Sequence, residues 1–181
     1  EYHAELLELL GGNQTNKIII HIGGIYGDKE AAMDRFIRQA NQLSERVRSH
    51  LVIENDERLY SIHDVLSISE QTGLPVIFDN LHHEVRLPLD DTPLSDYIQA
   101  SGRTWQPADG RQKIHYSQQA PGKKAGAHSE TIAIRPFIGF LEQLPPDQPI
   151  DIMLEVKDKN RSAEKMQIYL DQDIVAAEKL W

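Results

Sequence analysis

An α/β fold built on a parallel sheet is what this sequence predicts, and three observations predict it. Five short apolar runs recur along the chain: Lys17-Ile18-Ile19-Ile20, Leu51-Val52-Ile53, Pro75-Val76-Ile77-Phe78, Lys113-Ile114 and Ile150 to Leu154. Runs of this length and β-branched makeup read as buried parallel strands. Stretches with helical apolar spacing separate them, which is the alternation that builds βα units. Each run also leads into a residue type that binds metal: His21, Glu54, Asp79, His115 and Glu155. In α/β folds, chemistry gathers at the carboxyl ends of such strands.

The elements follow in order. Glu1 to Leu10 reads as a helix with Leu6, Leu7, Leu9 and Leu10 on its inner side, stopped by Gly11-Gly12-Asn13. The strand to His21 leads into a glycine-rich turn, Gly23-Gly24-Ile25-Tyr26-Gly27, and Asp28 suits the cap of the next helix. That helix is expected to run to about Val47, with Met33, Phe36, Ile37, Ala40 and Leu43 at helical spacing. After the strand to Glu54, Ser61 is expected to cap a helix ending near Gly73, and Leu74-Pro75 opens the strand to Asp79. The segment from Asn80 to Asp109 is longer, and Leu94, Tyr97 and Ile98 indicate a helix within it. Lys113 to Tyr116 is a short strand, followed by a Gly- and Lys-rich loop from Pro121 to Ala127. Ser129 is expected to cap a helix to about Leu144, kinked or broken at Pro136. Pro145-Pro146 precedes the strand to Glu155. A final helix fills Ser162 to Leu180, with Ala163, Met166, Ile168, Tyr169 and Ile174 as its inner residues.

The 181 residues read as a single domain, 1–181, of ordinary globular composition, with 40% apolar residues and no cysteine. Without thiols, a metal must be held by imidazole and carboxylate, ligands that suit Zn, Mn or Fe rather than soft metals. No stretch is long enough to span a bilayer and no amino-terminal signal is present, so a cytoplasmic location is expected. The net charge of −9 argues mildly against nucleic acid as partner. The charge is uneven, however. Ser101 to His128 carries Arg103, Arg111, Lys113, Lys123 and Lys124 against one acid, Asp109.

The strand-end ligands constrain the sheet. Neighbouring strands lie about 4.8 Å apart, so the outer ends of five flat strands would be roughly 19 Å apart. Only a curved sheet brings them to one centre, as in a TIM barrel of the (β/α)8 type. A complete barrel takes about 250 residues and rarely fewer than about 200. The chain is therefore expected to be a barrel fragment carrying about the last five βα units. Its open edges lead us to expect self-association.

Asp79-Asn80-Leu81-His82 is the sharpest local signal, because an Asp at a strand end and a His one turn on can face one ion. The competing reading is a capping Asp and a surface His. Glu54 and Glu155 end buried strands, where a carboxylate must be paired or metal-bound. His21 and His115 taken singly are better explained as hydrogen-bonded core residues than as ligands, and His128 alone would mean little. Lys113 shares a strand face with His115. It is favoured as a counter-ion, with a carbamate that bridges metals as the alternative. Trp105, Trp181, His3, His50, His63 and His83 are read as structural or surface residues. Asp28 and Lys29 begin a helix whose amides suit a phosphate, or simply close a turn.

Five segments, in order, resemble the ultraviolet-damage endonucleases: Ile20-His21-Ile22-Gly23-Gly24-Ile25-Tyr26-Gly27-Asp28-Lys29, Ile53-Glu54-Asn55-Asp56, Phe78-Asp79-Asn80-Leu81-His82-His83, Lys113-Ile114-His115-Tyr116-Ser117 and His128-Ser129-Glu130. The resemblance implies a TIM-barrel repair enzyme with up to three metal ions, usually Mn²⁺, and double-stranded DNA with ultraviolet lesions as substrate. It implies that His21, Glu54, Asp79, His82, His115, His128 and Glu155 are ligands. It also implies a carboxylated Lys113, with Lys113, Glu54 and Glu155 serving catalysis. The implied reaction is backbone hydrolysis 5′ to a photoproduct, with Lys29, Arg111, Lys123 and Lys124 on DNA phosphates. Lacking its first strands, the fragment is expected to bind fewer ions and nick weakly. The alternatives are an endonuclease IV-like abasic-site nuclease, a sugar-isomerase-like metal barrel, and a metal-free barrel half.

Overall fold

The computed structural model describes residues 1–178, with side chains through residue 171. Five strands form one sheet: β1 (Ile18–Ile20), β2 (Leu51–Glu54), β3 (Val76–Asp79), β4 (Gln112–Tyr116) and β5 (Ile150–Leu154). Every pairing is parallel, and the spatial order is the chain order. A doubly wound sheet reverses its strand order partway; this one does not. Right-handed crossovers in unbroken sequence keep the connecting helices on one face. Among the described residues, β1 pairs only with β2 and β5 only with β4, so the sheet has two edges.

The strand period of two divides the sheet into unlike faces. Leu51 and Ile53, Val76 and Phe78, and Ile114 and Tyr116 pack into the core beneath the helices. That core includes Tyr60, Ile62, Val65 and Ile68 around α4 (Ile62–Thr72), Tyr97 and Ile98 of α6 (Leu94–Gly102), and Phe137 and Phe140 of α7 (Ile134–Leu141). The alternate residues, Glu54, Asp79, Lys113 and His115 among them, belong to the other face.

Several local expectations hold. Asp28 caps α2 (Lys29–Gln42), accepting from the Ala31 amide at 3.0 Å. Ser61 and Asp64 form a capping box on α4, and Gly73 ends it at φ 71°. No described helix is long and apolar enough to cross a membrane.

Other expectations are corrected. In α1 (Tyr2–Leu9), Ala4 is the buried residue, whereas Leu9 and Leu10 are 78% and 76% exposed and Leu6 is also exposed. Ala4 and Leu7 share a stripe three residues apart, and the remaining leucines point away from it. The second helix does not reach Val47. Leu43 and Ser44 adopt extended backbone, and a separate turn, α3 (Glu45–Arg48), follows. Ser129 is not a helix cap: its hydroxyl donates to the Thr131 carbonyl, and α7 begins only at Ile134. Pro136 falls in the first turn of α7, where a missing N–H costs nothing, so it neither kinks nor breaks the helix. In the last helix, α8 (Asn160–Glu178), Met166 is buried while Ala163 and Ile168 face outward. The side chain of Ile174, and Leu180 and Trp181 altogether, lie outside the described residues.

Candidate metal centre

At the carboxyl ends of the strands, one ligand atom from each of Glu54, Asp79, His115 and Glu155 falls within 4.8 Å of all the others. The hydrophobic strand bodies fix this meeting. Glu54 and Asp79 are the last residues of β2 and β3, and in-register pairing sets Asp79 beside His115 of β4. Asp79 is fully buried, Glu54 and His115 nearly so, and Glu155 sits at the edge.

His115 Nδ1 donates to Glu54 Oε1 at 2.6 Å and lies 3.3 Å from Glu155 Oε1. His21 Nε2 lies 3.5 Å from Glu54 Oε2, and His128 Nε2 lies 3.8 Å from Glu155 Oε2. The His82 ring stands between them, 5.7 Å from the His21 ring and 6.4 Å from the His128 ring. All seven expected ligands therefore share one rim.

Two asparagines hold the rim together, and sequence reasoning gave neither a structural role. Asn55 accepts from the Asp79 amide at 2.9 Å and donates to the Asp79 carbonyl at 3.1 Å. One strand over, Asn80 accepts from the Ser117 amide at 2.8 Å and donates to its carbonyl at 3.1 Å. Each side chain extends the parallel ladder past the end of its strand. The available signal was the repeat itself, Glu54-Asn55 and Asp79-Asn80. Asn55 does more: its carbonyl accepts from His82 Nδ1 at 2.9 Å, which leaves Nε2 with a free lone pair. Asp79 also caps the short helix α5 (Asn80–Val85), accepting from the His82 amide at 2.7 Å. That helix was not expected separately, and it is what turns His82 back toward Asp79.

The electrostatics are unbalanced. Burial, reinforced by the Glu54 charge, pushes the Asp79 carboxyl up to about 7 against the opposing pull of His82 and His115. Burial works against protonating His115, but the Glu54 hydrogen bond and the charges of Glu54, Glu155 and Asp79 outweigh it, and its pKa is raised. His82 is raised in the same way, with Asp79 first among the favouring groups. Asp79 Oδ2 and His115 Nε2 are buried without any hydrogen-bond partner. Buried polar atoms of this kind are costly unless something else meets them. An oxygen- and nitrogen-rich set with two such atoms fits a hard or borderline divalent cation.

The family model described as UV-endonuclease UvdE matches residues 1–176. The chain belongs to this ultraviolet-endonuclease family. It is 46% identical to the UV DNA damage endonuclease of Clostridium perfringens, over 91% of this chain and 40% of that protein. It is 37% identical to a putative UV-damage endonuclease of Acanthamoeba polyphaga mimivirus, over 91% of this chain and 50% of the relative. The crystal structure of SacUVDE superposes with a TM-score of 0.84 at 42% identity, covering 94% of this chain and 56% of that one. The chain thus spans about half the length of the UV-endonucleases it matches.

The remaining expected site residues of this family member are placed less uniformly. Lys123 and Lys124 are exposed and form no ion pair among the described residues. Their loop leans on the site through Gly126, where a β-carbon would come 2.9 Å from Glu57 Cγ, and Glu57 Oε2 is 3.7 Å from His82 Nε2. Glu57 had been overlooked. Lys29 is already engaged, donating to Asp64 at 2.6 Å. Arg111 precedes β4 and lies 3.9 Å from Asp151, at the amino ends of the strands and opposite the cluster. Arg111 is therefore not carried forward as a phosphate contact, whereas Lys29 stays a proposed one. Lys113 has its Nζ 3.7 Å from Asp151 Oδ2, 3.2 Å from the Arg111 carbonyl and 5.2 Å from the Trp105 ring centre, without an ion pair to Glu54, Asp79 or Glu155. His83 is buried against Phe78 and Tyr97, in keeping with a structural role.

Proposed function

We propose that this chain is the carboxyl-terminal part of a (β/α)8-type, metal-dependent DNA repair endonuclease that hydrolyses the backbone 5′ to ultraviolet photoproducts. The observation that carries the reading is the buried cluster of Glu54, Asp79, His115 and Glu155 in a member of this family. The unbroken strand order supports the barrel, and the unpaired Lys123 and Lys124 support a polyanionic partner, double-stranded DNA. The reading implies work in the cytoplasm.

Mn²⁺ is the proposed cation, with His21, Glu54, Asp79, His82, His115, His128 and Glu155 as its holders, and Lys113 joining them once carboxylated. When bound, it supplies Lewis-acid polarisation of a phosphate oxygen and a lowered pKa for a water. The chain's own residues do the rest. Asn55 keeps His82 in the tautomer that offers Nε2, and Glu54 orients His115 through Nδ1. The carboxylates Glu54 and Glu155 take up the proton that leaves the attacking water. Lys123 and Lys124 hold flanking phosphates in line. Water adds to phosphorus, the bond to the 3′-oxygen breaks, and the leaving oxygen takes a proton.

Elemental mass spectrometry of the chain purified with Mn²⁺, beside Asp79→Ala/His82→Ala, tests the reading. Metal retained by the parent and lost from the variant is the expected result. No metal in either sinks the proposal for this chain.

A further inference from the structure

The loop between β1 and α2 carries a residue that the metal centre does not use. Tyr26 projects there with 88% of its surface exposed, and it makes no hydrogen bond among the described residues. It sits between Gly23 and Gly27, themselves at φ 100° and 88°. Its own backbone is at φ 49°, in the left-handed region that bulky residues rarely occupy and glycine occupies freely. The fold therefore tolerates strain for a ring that adds nothing to the core. Strain of this kind clusters where a ligand is met.

The surroundings indicate what the ring meets. The loop starts at His21, so Tyr26 rises from the same rim as the metal cluster. The ring lies back over Gly24, where a β-carbon would meet two ring carbons at an ordinary contact distance of 3.4 Å. The Arg35 guanidinium carbon stands 5.5 Å from the ring centre. Arg35 donates to the Ala31 carbonyl at 3.3 Å and has no carboxylate partner among the described residues. An exposed aromatic with an uncommitted guanidinium beside it is a combination that holds nucleic-acid strands: the ring stacks on a base and the cation meets a phosphate.

We infer that Tyr26 is a stacking platform for an unpaired nucleobase, with Arg35 beside it for the adjoining phosphate. The inference rests on the DNA reading above and deepens it. Every base offers a π face, so the contact holds a displaced base without reading its identity. Damaged or mismatched bases cost least to unstack, which is where such a platform acts selectively.

The test is fluorescence anisotropy of a short fluorescein-labelled oligothymidylate, titrated at low salt with the 181-residue chain and its Tyr26→Ala, Tyr26→Phe and Tyr26→Gly variants. Kd is expected to rise roughly tenfold or more in the Ala and Gly variants and to stay unchanged in Tyr26→Phe. The dependence of log Kd on log salt should be the same in all, because stacking releases no counterions. Tyr26→Gly should melt no lower than the parent, since glycine relieves the backbone. Equal binding by Tyr26→Ala and the parent overturns the inference. So does a loss in Tyr26→Phe as large as in Tyr26→Ala, which would assign the hydroxyl instead. A marked fall in the melting temperature of Tyr26→Gly also overturns it, by assigning a structural role. If the parent does not bind the oligonucleotide, the DNA reading falls and the platform falls with it. A parent that binds, and loses affinity in Lys123→Glu/Lys124→Glu, keeps that reading whatever Tyr26 does.

Discussion

The two ends of the same sheet treat charge in opposite ways. At the amino ends, Lys17 enters β1 with its side chain only 2% exposed, and it is answered by Asp109 at 2.5 Å and the Ser49 carbonyl at 2.6 Å. Lys113 there faces Asp151. Each cation has a carboxylate. At the carboxyl ends, Glu54, Asp79 and Glu155 converge on His115, with His21, His82 and His128 further out, each 3.5 to 3.8 Å from a carboxylate, and two buried polar atoms have no partner. One and the same parallel sheet carries both ends, so the difference does not come from two separate folding units. A protein that satisfies its buried charges at one end has left them unsatisfied at the other, and unsatisfied buried charge marks the place where something else binds.

The paired end should yield the largest stability effect. Asp109→Ala leaves the buried Lys17 ammonium without its counter-charge, with the Ser49 carbonyl as its remaining acceptor, and also removes the acceptor for the Gln106 amide. Urea unfolding should show a loss of about 3 kcal/mol, as for other buried pairs broken on one side. Lys17→Met/Asp109→Ala should recover most of it, because no charge is then left behind. If the double variant is as unstable as the single one, the pair is not what holds this end, and the contrast loses half its basis.

Much of this contrast was legible in the sequence. The β-branched runs set the strands, and the residue after each run falls at the rim, so spacing pointed to Glu54, Asp79 and Glu155, while the full set of seven candidate ligands came only from the resemblance to the family. What was not legible depends on the direction of flexible side chains. Lys113 does share a face with His115, but four methylenes let its ammonium turn toward Asp151 and the Arg111 carbonyl. Arg111 was grouped with Lys123 and Lys124 by proximity in sequence, whereas β4 carries the chain from one end of the sheet to the other between them. The pairing of Lys29 with Asp64, a residue three elements later, was likewise out of reach of the sequence. The ladder-extending bonds of Asn55 and Asn80 needed the strand register before they could be seen.

The unpaired end should show the opposite balance of stability and binding. Asp79→Asn keeps an oxygen for the His82 amide, the bond that caps α5. In the metal-free chain it should change stability by less than about 1 kcal/mol, since losing an uncompensated buried carboxylate offsets the rest. Mn²⁺ affinity, by calorimetric titration, should fall by more than about a hundredfold, beyond what removing an outlying partner of a ligand costs. A stability loss of several kcal/mol with metal affinity intact would make Asp79 a structural counter-charge to His82 and His115, and the two ends would then be alike.

The smallest stability effect falls at Lys113, which sits between the two ends and belongs to either. Its pair with Asp151 is long, at 3.7 Å, and both side chains are partly exposed, so solvent screens it. Lys113→Met keeps an apolar stem and a sulfur against the Trp105 ring and should cost under about 1 kcal/mol. Its effect on metal should be larger. A carbamate forms from the neutral amine and CO₂ and turns a cation into an anionic ligand, which would move Lys113 from the paired set to the unpaired one. Bicarbonate should therefore raise Mn²⁺ affinity in the parent chain and leave Lys113→Met unaffected. If bicarbonate changes neither, Lys113 stays a counter-ion of Asp151, and the boundary between the two ends runs between Lys113 and His115 on a single strand.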